Sequence, residues 1–167
     1  LINGYGPNLF LLKKIISKKN YELIIFVDCG SNSFDEIDFL EKSGVKTIII
    51  DHHKIHEVKN YKNTVIINPL KDSSFKEYSI FCATTLVYFF IKYLVNILNT
   101  HKKVNLSKYL FFAAIATICD QMPLRGLNKT IVTDGFTNFD INKFNNLNKL
   151  INIKNFFNIF LAKTQII

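Results

Sequence analysis

The sequence has no tryptophan, one methionine and a single arginine, Arg125. Its three cysteines, Cys29, Cys82 and Cys119, are an odd number without paired spacing. That argues against a disulfide framework and suits a reducing compartment, so a cytoplasmic location is expected. Prolines and glycines are few, three and six, and they punctuate apolar runs rather than form a low-complexity tract. No signal peptide is visible and the first residue is Leu1 rather than methionine, which reads as the edge of a fragment. One run, Ile80 to Leu98, is long and apolar enough to suggest a bilayer span. It opens on the small and polar Cys82, Ala83, Thr84 and Thr85, carries Lys92, and is followed by a second apolar run from Leu106 to Cys119. Two buried helices explain both runs, and no membrane is expected.

What is present is 167 residues, enough for one domain with a real core, at 49% hydrophobic and 20% charged residues. Sixteen phenylalanines among abundant Lys, Ile and Asn resemble an AT-rich coding bias and carry no function. The net charge of +8 suits a polyanion such as nucleic acid, and equally suits plain solubility, because the lysines are scattered from end to end.

Periodicity divides the chain into alternating elements. Pro7 suits the first turn of a helix whose apolar residues Leu9, Leu11, Leu12, Ile15 and Ile16 recur at helical spacing up to Lys19. Glu22 to Val27 reads as a buried strand. Ser33 is a candidate N-cap for a helix from Phe34 to Ser43, with Asp35 and Glu36 in the first turn and Gly44 as the stop. Lys46 to Ile50 and Thr64 to Ile67 read as further strands, the last stopped by Asn68-Pro69. A strand, helix and strand of this length make a βαβ unit with parallel strands. Helices are expected over Ile80 to Leu98 and Leu106 to Ile118, then a loop from Asp120 to Asn128, then short helices. The expected fold class is therefore α/β, a three-layer αβα arrangement with a mainly parallel sheet followed by a helical segment.

Chemistry gathers at the strand ends, where open parallel α/β sheets place their sites. Asp28 leaves its strand in Val27-Asp28-Cys29-Gly30 and reads either as a metal-bridging carboxylate or as a loop cap of the next helix. Asp51-His52-His53 follows an all-apolar strand. In extended geometry neighbouring side chains diverge, so one imidazole can bind a metal while the other faces a phosphate, with Asp51 fixing a tautomer or bracing the turn. His56 lies nearby in sequence but in a charged, solvated segment. Asp120 ends an apolar helix, where the dipole disfavours negative charge, and a metal or a nearby lysine would offset that cost. A zinc site built from Cys29, Cys119 and His52 is disfavoured because no two cysteines form a close pair.

In order and spacing these residues resemble the DHH phosphoesterase superfamily, and most closely its RecJ-type single-strand-specific DNA exonucleases. The likeness runs through Asn3-Gly4-Tyr5-Gly6-Pro7-Asn8, Val27-Asp28-Cys29-Gly30, Ile50-Asp51-His52-His53, Ile67-Asn68-Pro69, Phe81 to Thr85, and Thr117 to Leu124 with Gly126-Leu127-Asn128-Lys129. It covers roughly Leu1 to Gly135 and implies a partial DHH domain over residues 1–140 with a helical continuation over 141–167. The resemblance implies that Asp28 is shared by two metals, that His52 and Asp120 complete one metal's protein ligands, that His53 faces the phosphate, and that Asp51 supports the pair. Arg125 and Lys129 are weaker candidates for phosphate contact. Mn²⁺ or Mg²⁺ would be the cofactor and single-stranded DNA the substrate, attacked 5′ to 3′ in recombination and repair, with a single-strand-binding protein and repair proteins as partners. The family's first Asp-x-Asp motif is absent and belongs upstream of Leu1, so the two-metal site is incomplete here. This piece alone is expected to bind metal weakly and to turn over little. Two alternatives stand beside this reading: a small-substrate phosphoesterase of the nanoRNA or pAp phosphatase type, and a degenerate, non-catalytic nucleic-acid-binding domain.

Overall fold

The computed structural model describes residues 4–99 and 104–140; the expected continuation over 141–167 lies outside the described residues. Helix α1, Leu9–Ile16, begins at Asn8, whose side chain accepts a hydrogen bond from the Leu11 N–H at 3.1 Å. The asparagine cap, rather than Pro7 in the first turn, starts this helix. Strand β1, Leu23–Val27, leads to α2, Phe34–Lys42. Ser33 stands at the cap position of α2 but its side chain makes no capping bond, which leaves Asp35 and Glu36 to complement the dipole.

Strands β2, Lys46–Ile50, and β3, Thr64–Ile67, complete a parallel sheet in the order β1-β2-β3. Val27 is level with Ile50, and Ile50 with Ile67, so all three strands end together. The ladder runs one residue further: the Asp28 N–H donates to Ile50 at 2.9 Å and the Asp51 N–H to Ile67 at 3.0 Å. These two bonds deliver both acids to one edge.

Alternation along the strands sorts side chains onto two faces. Ile24 and Phe26 meet Leu12, Leu40 and Val45 beneath α1 and α2. Ile48, Ile50 and Ile67 face the other way, against Phe81, Leu86, Ala113 and Ile131. Helices therefore pack on both faces of the sheet, as the three-layer reading requires. But β1 is not the buried strand its apolar run suggests: Leu23, Ile25 and Val27 remain exposed, because β1 is, among the described residues, an edge strand that the helices on that side cover only in part. Burying each of the packed Leu, Ile or Phe side chains contributes about 1.5–3 kcal/mol.

The run read as one helix from Ile80 is divided. A 3-10 helix over Ser73–Ile80 meets α3, Ala83–Ile97, at 110°, with Phe81 and Cys82 extended between them. The bend drives Phe81 into the core, where it is 3% exposed. No single helix among the described residues is long and apolar enough to cross a membrane. A short 3-10 turn, Ser107–Tyr109, precedes α4, Leu110–Cys119. Helix α5, Leu127–Thr137, begins inside the stretch read as loop up to Asn128.

Helices α4 and α5 lie close because Gly135 has no side chain. A Cβ there would come within 2.7 Å of the Ala114 Cβ and 3.0 Å of the Leu110 carbonyl oxygen. Alanine is the better helix former by about 1 kcal/mol, but overpacking against a backbone costs about 1–3 kcal/mol and wins. Gly135→Ala should lower the midpoint of urea unfolding, measured by circular dichroism.

Candidate metal centre

The site is assembled from two turns at the ends of β1 and β2. Asp28 adopts a positive φ of 62°, a state that aspartate tolerates better than most residues. Gly30 follows at φ 108°, and a Cβ there would already touch Ile49 and Phe26 at 3.4 Å. The chain thus turns sharply out of β1 and passes close under β2.

Asp51 is what it passes. This carboxylate is 1% exposed, yet its oxygens are fully engaged. Oδ2 accepts from the Ser31 N–H at 3.1 Å, while Oδ1 accepts from the N–H groups of His52 at 2.8 Å and His53 at 3.3 Å and from His53 Nδ1 at 2.7 Å. Burial pushes the carboxyl's pKa up, but the hydrogen bonds from His53 and Ser31 together outweigh it and hold it below the ordinary range. A charged acceptor at Nδ1 fixes the proton on that nitrogen and leaves His53 Nε2 as the free face. The Asp51 oxygens thus face His53 and the surrounding backbone N–H groups. Asn68 ties down the same turn: its Nδ2 donates to Ser31 Oγ at 3.0 Å and to the His53 carbonyl at 2.9 Å.

Above this bracing the polar groups converge. His52 Nε2 stands 3.3 Å from Asp28 Oδ1, and the two imidazole rings lie 4.6 Å apart between centroids. One ligand atom each from Asp28, His52 and His53 falls within 4.8 Å of the others, the one such group among the described residues. Asp28 Oδ1 is buried, within a side chain that is otherwise half exposed, and it has no hydrogen-bond partner; its contact with His52 Nε2 is an ion-pair contact. An orphaned carboxylate oxygen beside imidazole nitrogens fits a divalent cation, which accepts oxygen and imidazole donors together. Cis ligands of an octahedral ion with bonds of about 2.1 Å stand about 3 Å apart, close to the spacing seen.

Asp120 lies outside that group of three. It is the C-cap of α4 and its turn is a Schellman motif: the Met122 N–H donates to Thr117 and the Gln121 N–H to Ile118, each at 3.0 Å. Gln121 takes the left-handed position, φ 54°, that glycine usually fills. Tyr5 packs at the edge itself. Its hydroxyl donates to the Asp28 carbonyl, and its ring stands edge-on to His53, centroids 6.4 Å apart at 75°. Desolvation of the hydroxyl, then the charges of Asp28, Cys29, Asp51 and Asp120, push the phenol up.

The remaining candidates stay apart from this group. Arg125 is exposed in the loop after Asp120 and Lys129 is exposed in the first turn of α5. His56 donates its N–H to Asn32 at 2.9 Å in a separate exposed turn. Cys29 is half-buried and Cys119 exposed, and neither thiol belongs to the candidate group. Sequence reasoning passes over Ser31, Asn68 and Tyr5 as site residues. Ser31 has no signal of its own; Asn68 and Tyr5 lie in motifs whose chemistry depends on partners far along the chain.

Comparison with known proteins follows the same outline. The family model described as DHH family, N-terminal domain, matches residues 5–117. The chain belongs to the DHH family. It is 27% identical over 139 residues to the single-stranded-DNA-specific exonuclease RecJ of Haemophilus influenzae, a match covering 79% of this chain and 24% of that protein. Against the RecJ of Thermus thermophilus it is 26% identical over 138 residues, covering 81% and 19%. A crystal structure of exonuclease RecJ bound to manganese aligns with a TM-score of 0.59 at 26% identity, covering 80% of this chain and 32% of that one. The crystal structure of Thermus thermophilus RecJ in complex with Mn²⁺ aligns at 0.63 with 24% identity, covering 77% and 18%. The chain spans a quarter or less of the length of the curated relatives it matches.

Two outcomes test this geometry. Because the Asp51 carboxyl is depressed in the fold, its stabilisation is complete above the unfolded carboxylate value of about 3.9 and is lost as pH falls through the lower folded value. Urea unfolding followed from about pH 6 down to about pH 2 should show this loss in the wild type and a flatter profile in Asp51→Asn, which is also less stable by about 2–3 kcal/mol. Gln121→Gly should gain about 1 kcal/mol by relieving the left-handed strain, read from the same denaturation curves.

Proposed function

We propose that this chain forms the cation-holding part of a phosphodiester hydrolase that acts on single-stranded DNA as a RecJ-type exonuclease. One observation carries the reading: the buried, unpartnered Oδ1 of Asp28 beside His52 Nε2, with a tautomer-fixed His53 alongside. The DHH family match and the names of the relatives supply the reaction class and the substrate.

In this reading Asp28 and His52 hold a divalent cation, with Asp120 brought in from the C-cap of α4. Mn²⁺ is favoured over Mg²⁺ by the imidazole donor and by the manganese in the related structures. When bound, the cation lowers the pKa of water and neutralises phosphate charge. The chain's own groups do the rest. His53 presents Nε2 to the phosphate while its Nδ1–H stays on Asp51. Tyr5, 72% exposed beside His53, offers an aromatic edge to the strand being cut. Arg125 and Lys129 supply positive charge along the DNA backbone, consistent with the net charge of +8. A 5′-to-3′ direction, a role in recombination and repair, contact with a single-strand-binding protein and a cytoplasmic setting complete the proposal.

The test is turnover of end-labelled single-stranded DNA and of dinucleotides with Mn²⁺ by the full-length protein that carries these residues. Wild type should degrade the DNA, and Asp28→Asn and His53→Ala should each reduce turnover by at least about 10²-fold with circular dichroism unchanged. A strong preference for dinucleotides would reassign the chain to small substrates. Binding without hydrolysis of either substrate would make it a nucleic-acid-binding domain.

A further inference from the structure

We infer that Asn128 is a positioning residue that fixes the Asp120 loop relative to the Asp28, His52 and His53 edge. The inference rests on the reading of Asp120 as a cation ligand. Asp120 leaves α4 into a turn whose next residues, from Gln121 to Leu127, are exposed apart from the half-buried Met122. Core packing therefore places the end of α4 but not the loop beyond it. Asn128 supplies what is missing. It is 0% exposed, in the first turn of α5, and its single amide nitrogen donates twice. One bond reaches the Pro123 carbonyl inside the loop at 3.0 Å; the other reaches the Ile80 carbonyl at 2.6 Å, 48 residues back in the chain. Ile80 closes the 3-10 helix just before the bend into α3. The loop is thereby tied to the element whose neighbour Phe81 packs beneath the sheet.

The amide is not serving its own helix. Asparagine at a helix start ordinarily caps, yet the N-cap of α5 is Gly126, which has no side chain to offer. The oxygen of the same amide, Oδ1, is buried and has no hydrogen-bond partner. A buried amide with an orphaned oxygen carries a desolvation cost, whereas an apolar side chain would leave both carbonyls without this donor. Its two donated bonds are the return, and only a two-proton donor of this length spans both carbonyls.

The experiment measures Mn²⁺ affinity of the full chain by the electron paramagnetic resonance of free Mn²⁺, with amide hydrogen exchange over residues 120–126. Asn128→Ala and the milder Asn128→Ser, which keeps one donor, should speed exchange in the loop and weaken Mn²⁺ binding about 10–100-fold. In an Asp120→Asn background Asn128→Ala should cost nothing more, because the ligand it positions is gone. Three results overturn the inference: wild-type affinity in both Asn128 variants, an equal loss with and without Asp120, or no loss in Asp120→Asn. If Asn128→Ala does not fold, Asn128→Ser decides by the same criteria. Should Asp28→Asn leave Mn²⁺ affinity unchanged, the cation reading itself fails; if Asp28→Asn weakens it and the Asn128 variants do not, only this inference falls.

Discussion

The buried carboxylate of Asp51 is the constraint on which the rest of the edge depends. A charge in the interior is tolerated only when donors replace water around it. Here the donors come from three places: the turn after β1 through Ser31, the turn after β2 through two backbone N–H groups, and the ring of His53. Meeting the electrostatic need of one acid therefore fixes two loops against each other. That is how Asp28 and His52, in the turns after different strands, come to stand 3.3 Å apart.

The sheet supplies the coarse half of this alignment. Parallel strands in register end at one level, and each contributes one further backbone bond before its turn begins. The left-handed backbone at Asp28 and the Schellman turn at Asp120 supply the fine half. The first turns the chain at Asp28 itself, and the second ends α4 just after Asp120, through the left-handed Gln121. Of the three non-glycine residues with positive φ among the described residues, Asp28 lies in the converging group itself.

Much of this is legible in residue order. The apolar runs ending in Asp28 and Asp51 mark strands of a parallel sheet, although only β2 is buried along most of its length while β1 leaves Leu23, Ile25 and Val27 exposed. The βαβ unit and the helices covering it follow from the same periodicity. What escapes depends on partners distant in sequence. Ser31 looks like any loop serine until Asp51 stands over it, 20 residues on. Asn128 reads as the end of a surface loop because Gly126 offers no capping signal, whereas its amide is wholly buried. The break at Phe81 and Cys82 hides inside an apolar run, since a bend that buries a phenylalanine changes no residue type. Ser33 misleads in the opposite direction: it has a capping residue's identity but its side chain makes no such bond.

The backbone state of Asp28 bears on how such a domain can change over time. The residues that occupy a left-handed position cheaply are glycine, asparagine and aspartate, and aspartate alone among them is anionic. Glutamate, the obvious chemical substitute, meets a conformational penalty, while asparagine, a neutral and weaker cation ligand, meets little. If Asp28 holds a cation as proposed, selection at this site acts through chemistry, because folding does not distinguish a working copy from a silent one. A lineage that relaxed that selection would accumulate well-folded, persistent and inactive descendants.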